Sequence, residues 1–173
     1  MKRLLIVGLL IIALITTGCG VFSLNGWLLP DDMEFLEVVE SLDTPEKISY
    51  YMENNFTYEP NLYGSKSPYE LWQVREGDCN DFACFGTFVA DYNGYETWQI
   101  LIYFKTTGYT HYLGVYNEGR YSFTDNKDYY YGFDTFREIV DESGKHTGQE
   151  WKSYKVYDYN NNLVEKGDNL DGH

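Results

Sequence analysis

Basic residues are scarce in this 173-residue chain: 13 Lys and Arg stand against 27 Asp and Glu, a net charge of −14 at pH 7. So acidic a chain repels polyanions and lacks the basic stripe of a nucleic-acid binder, so no nucleic-acid partner is expected. Proline is scarce too, with four residues, too few for a disordered or collagen-like chain. The sequence contains no internal repeat, low-complexity tract or phosphate-cradling glycine loop. Metal patterns are also missing. Cys79 and Cys84 have no closely spaced His or Cys partners for zinc. Asp158, Asn160 and Asn162 imitate the start of a calcium loop, but Leu163 replaces the required Gly and Asn169 the bidentate Glu. That stretch reads as a hairpin turn, and no metal or cofactor is expected.

What the chain does have is 43% hydrophobic and 18% aromatic residues, ample for one compact domain plus a targeting segment. Residues 1–18 have the layout of a secretory signal: basic Met1-Lys2-Arg3, then an apolar run from Leu4 to Ile15. The run is shorter than the roughly 20 residues that span a bilayer. Thr16-Thr17-Gly18-Cys19 resembles a bacterial lipobox, with Thr16 in place of the usual Leu. Cys19 is therefore the expected lipidation site, and an uncleaved signal anchor is the alternative. Either way the chain is expected to lie outside the cytoplasmic membrane, tethered to it. Residues 19–43 read as a tether with a short amphipathic segment near 33–39, and residues 44–173 as a single, monomeric domain.

Thr44-Pro45 and Ser67-Pro68 are cap-plus-proline helix starts, the first running to about Asn55, the second carrying Leu71, Trp72 and Gln73. Asp78-Cys79-Asn80-Asp81 is a carboxylate version of the capping box, so Cys79 is expected as the first residue of a helix. Phe82, Phe85, Gly86 and Val89 give it a buried stripe, and Asn93-Gly94 ends it. On one helix, residues five apart have Cα atoms roughly 8–9 Å apart, beyond the 7 Å limit for a disulfide. Cys79 and Cys84 are therefore expected as free thiols, which an oxidising compartment makes a liability unless one is used. The period then changes to two, with strands expected at 97–104, 109–116 and 121–125, a helix near 133–140 and a hairpin around Asn160-Asn161-Asn162. Helices followed by antiparallel strands make the fold class α+β.

A thiol at a helix N-terminus faces unpaired backbone N–H groups that favour thiolate, although Asp78 and Asp81 oppose it, so a neighbouring base is needed. Cys84 reads as a small buried hydrophobe. Of three histidines, His146 is expected in a polar, Gly-flanked loop and His173 ends the chain, whereas His111 alternates with Leu113 and Val115 on an apolar strand face. Asn117-Glu118-Gly119 looks like a three-residue hairpin loop. That loop sets Tyr116 against Arg120, Val115 against Tyr121, Leu113 against Phe123 and His111 against Asp125. A carboxylate oriented on an imidazole is the base-and-orienter part of a catalytic triad.

Gly77-Asp78-Cys79-Asn80-Asp81-Phe82-Ala83, then His111 opening a strand, then Asp125, resembles the core of the transglutaminase-like, papain-related superfamily over residues 44–128. The chain departs from many relatives in having Tyr112-Leu113 after the His and Asn126 after the Asp. The resemblance implies a Cys-bearing helix packed on an antiparallel sheet, with Cys79 as nucleophile, His111 as base and Asp125 as its orienter. It further implies an oxyanion donor at the Cys79 N–H and a second one upstream: Gln73, at the papain offset, or Trp72, since transglutaminases proper use an indole. The expected activity is acyl transfer through a thioester: a peptidase or amidase acting on a protein or peptide, cell-wall peptide included. The alternatives are a protein-crosslinking transglutaminase, or a non-catalytic surface lipoprotein that binds a protein or glycan, to which Tyr129-Tyr130-Tyr131 could contribute.

Overall fold

The computed structural model describes residues 23–24, 27–28, 30–60, 64–106 and 108–169. The expected signal sequence, the lipidation site at Cys19 and His173 lie outside them. Short strands β1 (Ser23–Leu24) and β2 (Trp27–Leu28) pair with each other and lead into helices α1 (Met33–Ser41) and α2 (Pro45–Asn55). Strand β3 (Thr57–Tyr58), helix α3 (Pro68–Val74), strand β4 (Glu76–Gly77) and helix α4 (Cys79–Tyr92) follow. The helix starts are set by their caps. The Thr44 and Ser67 hydroxyls accept from backbone N–H groups three residues on, each ahead of a proline, and Asp78 with Asp81 closes the capping box that opens α4.

The remaining strands, β5 (Thr97–Phe104), β6 (Thr110–Asn117), β7 (Tyr121–Asp125), β8 (Asp128–Phe133), β9 (Trp151–Asp158) and β10 (Leu163–Asp168), form one antiparallel sheet, and helix α5 (Phe136–Thr147) lies between β8 and β9 in sequence. Its order is β10-β9-β5-β6-β7-β8. Strand alternation divides the apolar residues into two clusters. Ile100, Ile102, Leu113, Val115 and Phe123 meet Phe136, Ile139 and Val140 of α5. Tyr116, with its side chain on the other face, packs among Phe35, Phe82, Phe85 and Phe88 of the helical layer.

Tyr116 is the joint between α4 and the sheet. It is fully buried, and its hydroxyl pairs with Thr124 Oγ1 at 2.9 Å. A Cβ on Gly86 of α4 would collide with that hydroxyl, and one on Gly114 would approach it to 2.8 Å. Both glycines are there to admit the phenol.

Two expectations are corrected. The β6–β7 register differs by two residues, with Leu113 opposite Asp125, Val115 opposite Phe123 and Asn117 opposite Tyr121. Asn117 remains in the ladder because its Oδ1 accepts from Gly119 N–H at 3.0 Å, which leaves Glu118-Gly119-Arg120 as the loop, with Gly119 at φ 90°. The shift is even, so every side chain keeps its face. Helix α5 begins at the Thr135 cap and runs to a left-handed Gly148, so it extends well beyond 140 and His146 is helical, stacked on Tyr130 at 4.3 Å. Strand β8, which contains residues 129–131, has no counterpart among the expected strands.

Gly86→Ala should lower unfolding free energy by about 1–3 kcal/mol, the usual cost of overpacking. In a Tyr116→Phe background the same change should cost distinctly less. Urea titrations of the four proteins check this, and equal costs in both backgrounds would place the collision elsewhere.

Candidate active site

The chain reaches Cys79 through a tight passage. Arg75 leaves α3 in the left-handed region at φ 65°, and β4 then pairs in parallel with β3, bringing Tyr58 opposite Gly77. A Cβ at Gly77 would lie 2.7 Å from Leu71 Cδ1 and 2.8 Å from Asp81 Cβ, so this position has no room for a side chain. Cys79 then opens α4, 8% exposed, and both it and Cys84 are free thiols. The Asp81 carboxylate beneath it is fully buried. It accepts from Asp78 N–H at 3.1 Å, from Lys66 N–H at 2.6 Å and from Lys66 Nζ at 3.2 Å. Those donors compensate the negative charge that the sequence sets beside the thiol.

His111 and Asp125 are joined despite the change of register. With Leu113 opposite Asp125, His111 is the diagonal neighbour of the carboxylate, and an imidazole is long enough to close that diagonal. The His111 Nε2 to Asp125 Oδ1 distance is 2.6 Å, and both residues are buried. The second carboxylate oxygen, Oδ2, accepts from Ser143 Oγ of α5 at 3.0 Å. Nδ1 of His111 is buried with no close hydrogen-bond partner, which leaves it as the ring nitrogen available to a thiol. The Cys79 side chain lies within interaction range of the ring. Burial works against the charged imidazole, but the hydrogen bond to Asp125 and the neighbouring Cys79 side chain, together with their charges, raise the His111 pKa to about 9.

Tyr109 covers the imidazole in a stacked contact, ring centroids 6.3 Å apart. Tyr58 and Tyr109 hydrogen-bond to each other and, with Asp78, Asn80 and Tyr112, line a cleft of about 450 Å³ at Cys79. Neither Gln73 nor Trp72 lines it. Gln73 is exposed on α3 near Tyr69, and the Trp72 ring sits between Phe35, Tyr69 and the Arg75 guanidinium. Cys84 is buried in contact with Asn80 and Gln99, and burial pushes its thiol up to about 11, consistent with a passive core residue. Asp158 Oδ1 accepts from Asn162 N–H at 2.8 Å, which makes 158–162 the β9–β10 turn. Among the described residues, no group of three or more His, Cys, Asp or Glu could hold a metal ion, and no helix is long and apolar enough to cross a membrane.

Sequence reading missed Ser143, although a signal was present. Phe136, Ile139 and Val140 of α5 are buried, and Ser143 continues their i, i+3, i+4, i+7 stripe as its one polar member.

No family model and no curated protein matches the sequence. Among solved structures, the EGTA-treated form of Legionella pneumophila LapG aligns with a TM-score of 0.50 at 17% identity, covering 77% of each chain. Calcium-bound LapG from the same organism gives 0.49 at 16% identity, over 78% of this chain and 79% of that one. The likeness to the first shows the fold. It is α+β, of the transglutaminase-like kind.

Site-resolved labelling with iodoacetamide separates the two thiols of the domain. At pH 7 Cys79 should react much faster than Cys84, and His111→Ala should slow Cys79 by about tenfold or more, since an unassisted thiol is only a few per cent thiolate. Equal, slow labelling of both would remove the imidazole from any role at the thiol.

Proposed function

We propose that the chain is a cysteine acyl-transfer enzyme of the transglutaminase-like superfamily, a peptidase or amidase acting on protein or peptide substrates, with Cys79, His111 and Asp125 as its triad. The observation that carries this reading is the buried imidazole, hydrogen-bonded through Nε2 to Asp125 and next to the Cys79 thiol at a helix N-terminus. We further propose that it works outside the cytoplasmic membrane, tethered through Cys19 or an uncleaved signal anchor. That placement rests on the sequence of residues 1–19 alone.

In the forward half-reaction the Cys79 thiolate attacks the amide carbonyl carbon, and the electron pair of the C=O bond moves onto oxygen. The Cys79 backbone N–H, one of the unpaired donors at the start of α4, would receive that oxyanion. A second donor from Gln73 or Trp72 would require α3 to approach the cleft. As the intermediate collapses, the C–N bond breaks and imidazolium His111 gives its proton to the departing amine. The thioester is then attacked by water, whose proton returns to His111; the C–S bond breaks, the acid product is released and the Cys79 thiolate is regenerated. Asp125 keeps Nε2 protonated throughout, and Ser143 fixes the Asp125 carboxylate, so that Nδ1 is the nitrogen that cycles.

Proton donation to the departing amine needs the charged ring, so turnover should fall as pH rises through about 9, the value to which Asp125 and Cys79 raise His111. Intact-mass analysis with a panel of peptide amides should show an acyl adduct on Cys79 and a released amine, both abolished in Cys79→Ala. A wild-type protein that yields no more product or adduct than Cys79→Ala would contradict the assignment.

A further inference from the structure

We propose that the cleft at Cys79 continues into a polar lobe that binds a cationic side chain, Lys or Arg, of an extended peptide substrate. This inference rests on the acyl-transfer reading and specifies its substrate. A second cavity, about 590 Å³, is bounded by Gln99, Cys84, Tyr157, Asp158 and Asn161. Asn80 and Tyr112 line both this cavity and the cleft at Cys79, so the two adjoin at these side chains. A chain whose carbonyl meets Cys79 can therefore run over Tyr112 and across the sheet toward the β9–β10 turn.

The lobe exists because α4 packs chiefly over β6 and β5. Toward β9 the same face of the sheet continues, with Gln99 and Tyr157 as cross-strand partners forming its floor. The side wall is fixed by hydrogen bonds. Asn80 Nδ2 donates to Ser65 Oγ, and Asn80 Oδ1 accepts from Cys84 Sγ at 3.7 Å. Gln99 Nε2 donates to Thr87 Oγ1 at 3.1 Å and to Cys84 Sγ at 3.6 Å, so its nitrogen is committed within the protein and its carbonyl oxygen is the atom left to accept.

The end wall carries the charge. Asp158 accepts from Asn162 Nδ2 at 3.0 Å and from Asn162 N–H at 2.8 Å, bonds that lower its pKa and keep it ionised. Among the described residues no Lys, Arg or His lines either cavity, and the chain as a whole carries a net charge of −14. A carboxylate, an amide oxygen and tyrosine hydroxyls form an acceptor-rich surface that complements an ammonium or guanidinium and repels Asp or Glu.

Binding and chemistry are tested separately. Fluorescence anisotropy with Cys79→Ala protein, which lacks the nucleophile, measures Kd for peptides carrying Lys, Gln or Glu at successive positions on each side of a central amide. At one position Lys should bind tightest and Glu weakest, by about three- to tenfold per step at low salt. Asp158→Asn should bring Lys and Gln together at that position, and Tyr157→Lys should favour Glu. Preference spread evenly over all positions, or surviving both substitutions, would be attraction to net charge and would overturn the lobe. A Gln optimum would also overturn it, making the site an amide pocket. Wild-type turnover of the same peptides reports on the chemistry: charge-selective binding without turnover keeps the lobe and rejects acyl transfer, and turnover without charge-selective binding does the reverse.

Discussion

The arrangement depends on one buried contact, the 2.6 Å hydrogen bond between His111 Nε2 and Asp125 Oδ1. Removing an imidazole and a carboxylate from water is costly unless each finds a partner, and losing one partner strands the other. The contact therefore ties three elements together: β6 supplies the ring, β7 the carboxylate, and α5 the Ser143 hydroxyl on the remaining oxygen. With Nε2 committed, Nδ1 is the nitrogen left to serve the thiol. On the proposed acyl-transfer reading, the fold thus fixes the orientation of the base before a substrate arrives, which is what preorganisation requires.

The thiol is placed by a different kind of constraint. Gly77 has no room for a side chain, Arg75 turns the chain through a left-handed conformation, and Asp78 with Asp81 closes the cap, so Cys79 falls at the first helical position. Lys66 and the cap N–H groups absorb the Asp81 charge. Asp125 and Cys79 raise the His111 pKa to about 9 despite its burial, and on the proposed reading the protonated ring supplies the positive charge that a thiolate needs. Cys84, five residues along the same helix, has neither a cap nor an imidazole, and burial makes its thiol a weaker acid.

Much of this was legible in the sequence because it is local. Caps, proline starts and the α4 stripe are encoded within a few residues, and β5, β7, Cys79 and the C-terminal hairpin appear where those signals place them. The β6–β7 register was not fully legible, since Asn117 can close the loop with its own side chain and remain paired. Parity survived because Leu113, Val115 and Phe123 must face one core. Ser143 escaped notice because Asp141-Glu142-Ser143-Gly144 hides the helical period behind polar residues. The placement of Gln73 and Trp72 depends on how α3 packs against α1, a tertiary matter that spacing from the Cys does not encode.

The central claim is that His111 is held as a cation between Asp125 and Cys79, and NMR titration of its ring nitrogens measures this directly. We expect a pKa near 9 in the wild-type protein, falling in both Asp125→Asn and Cys79→Ser. A His111 that titrates at or below the ordinary histidine value, unmoved by either substitution, would contradict it.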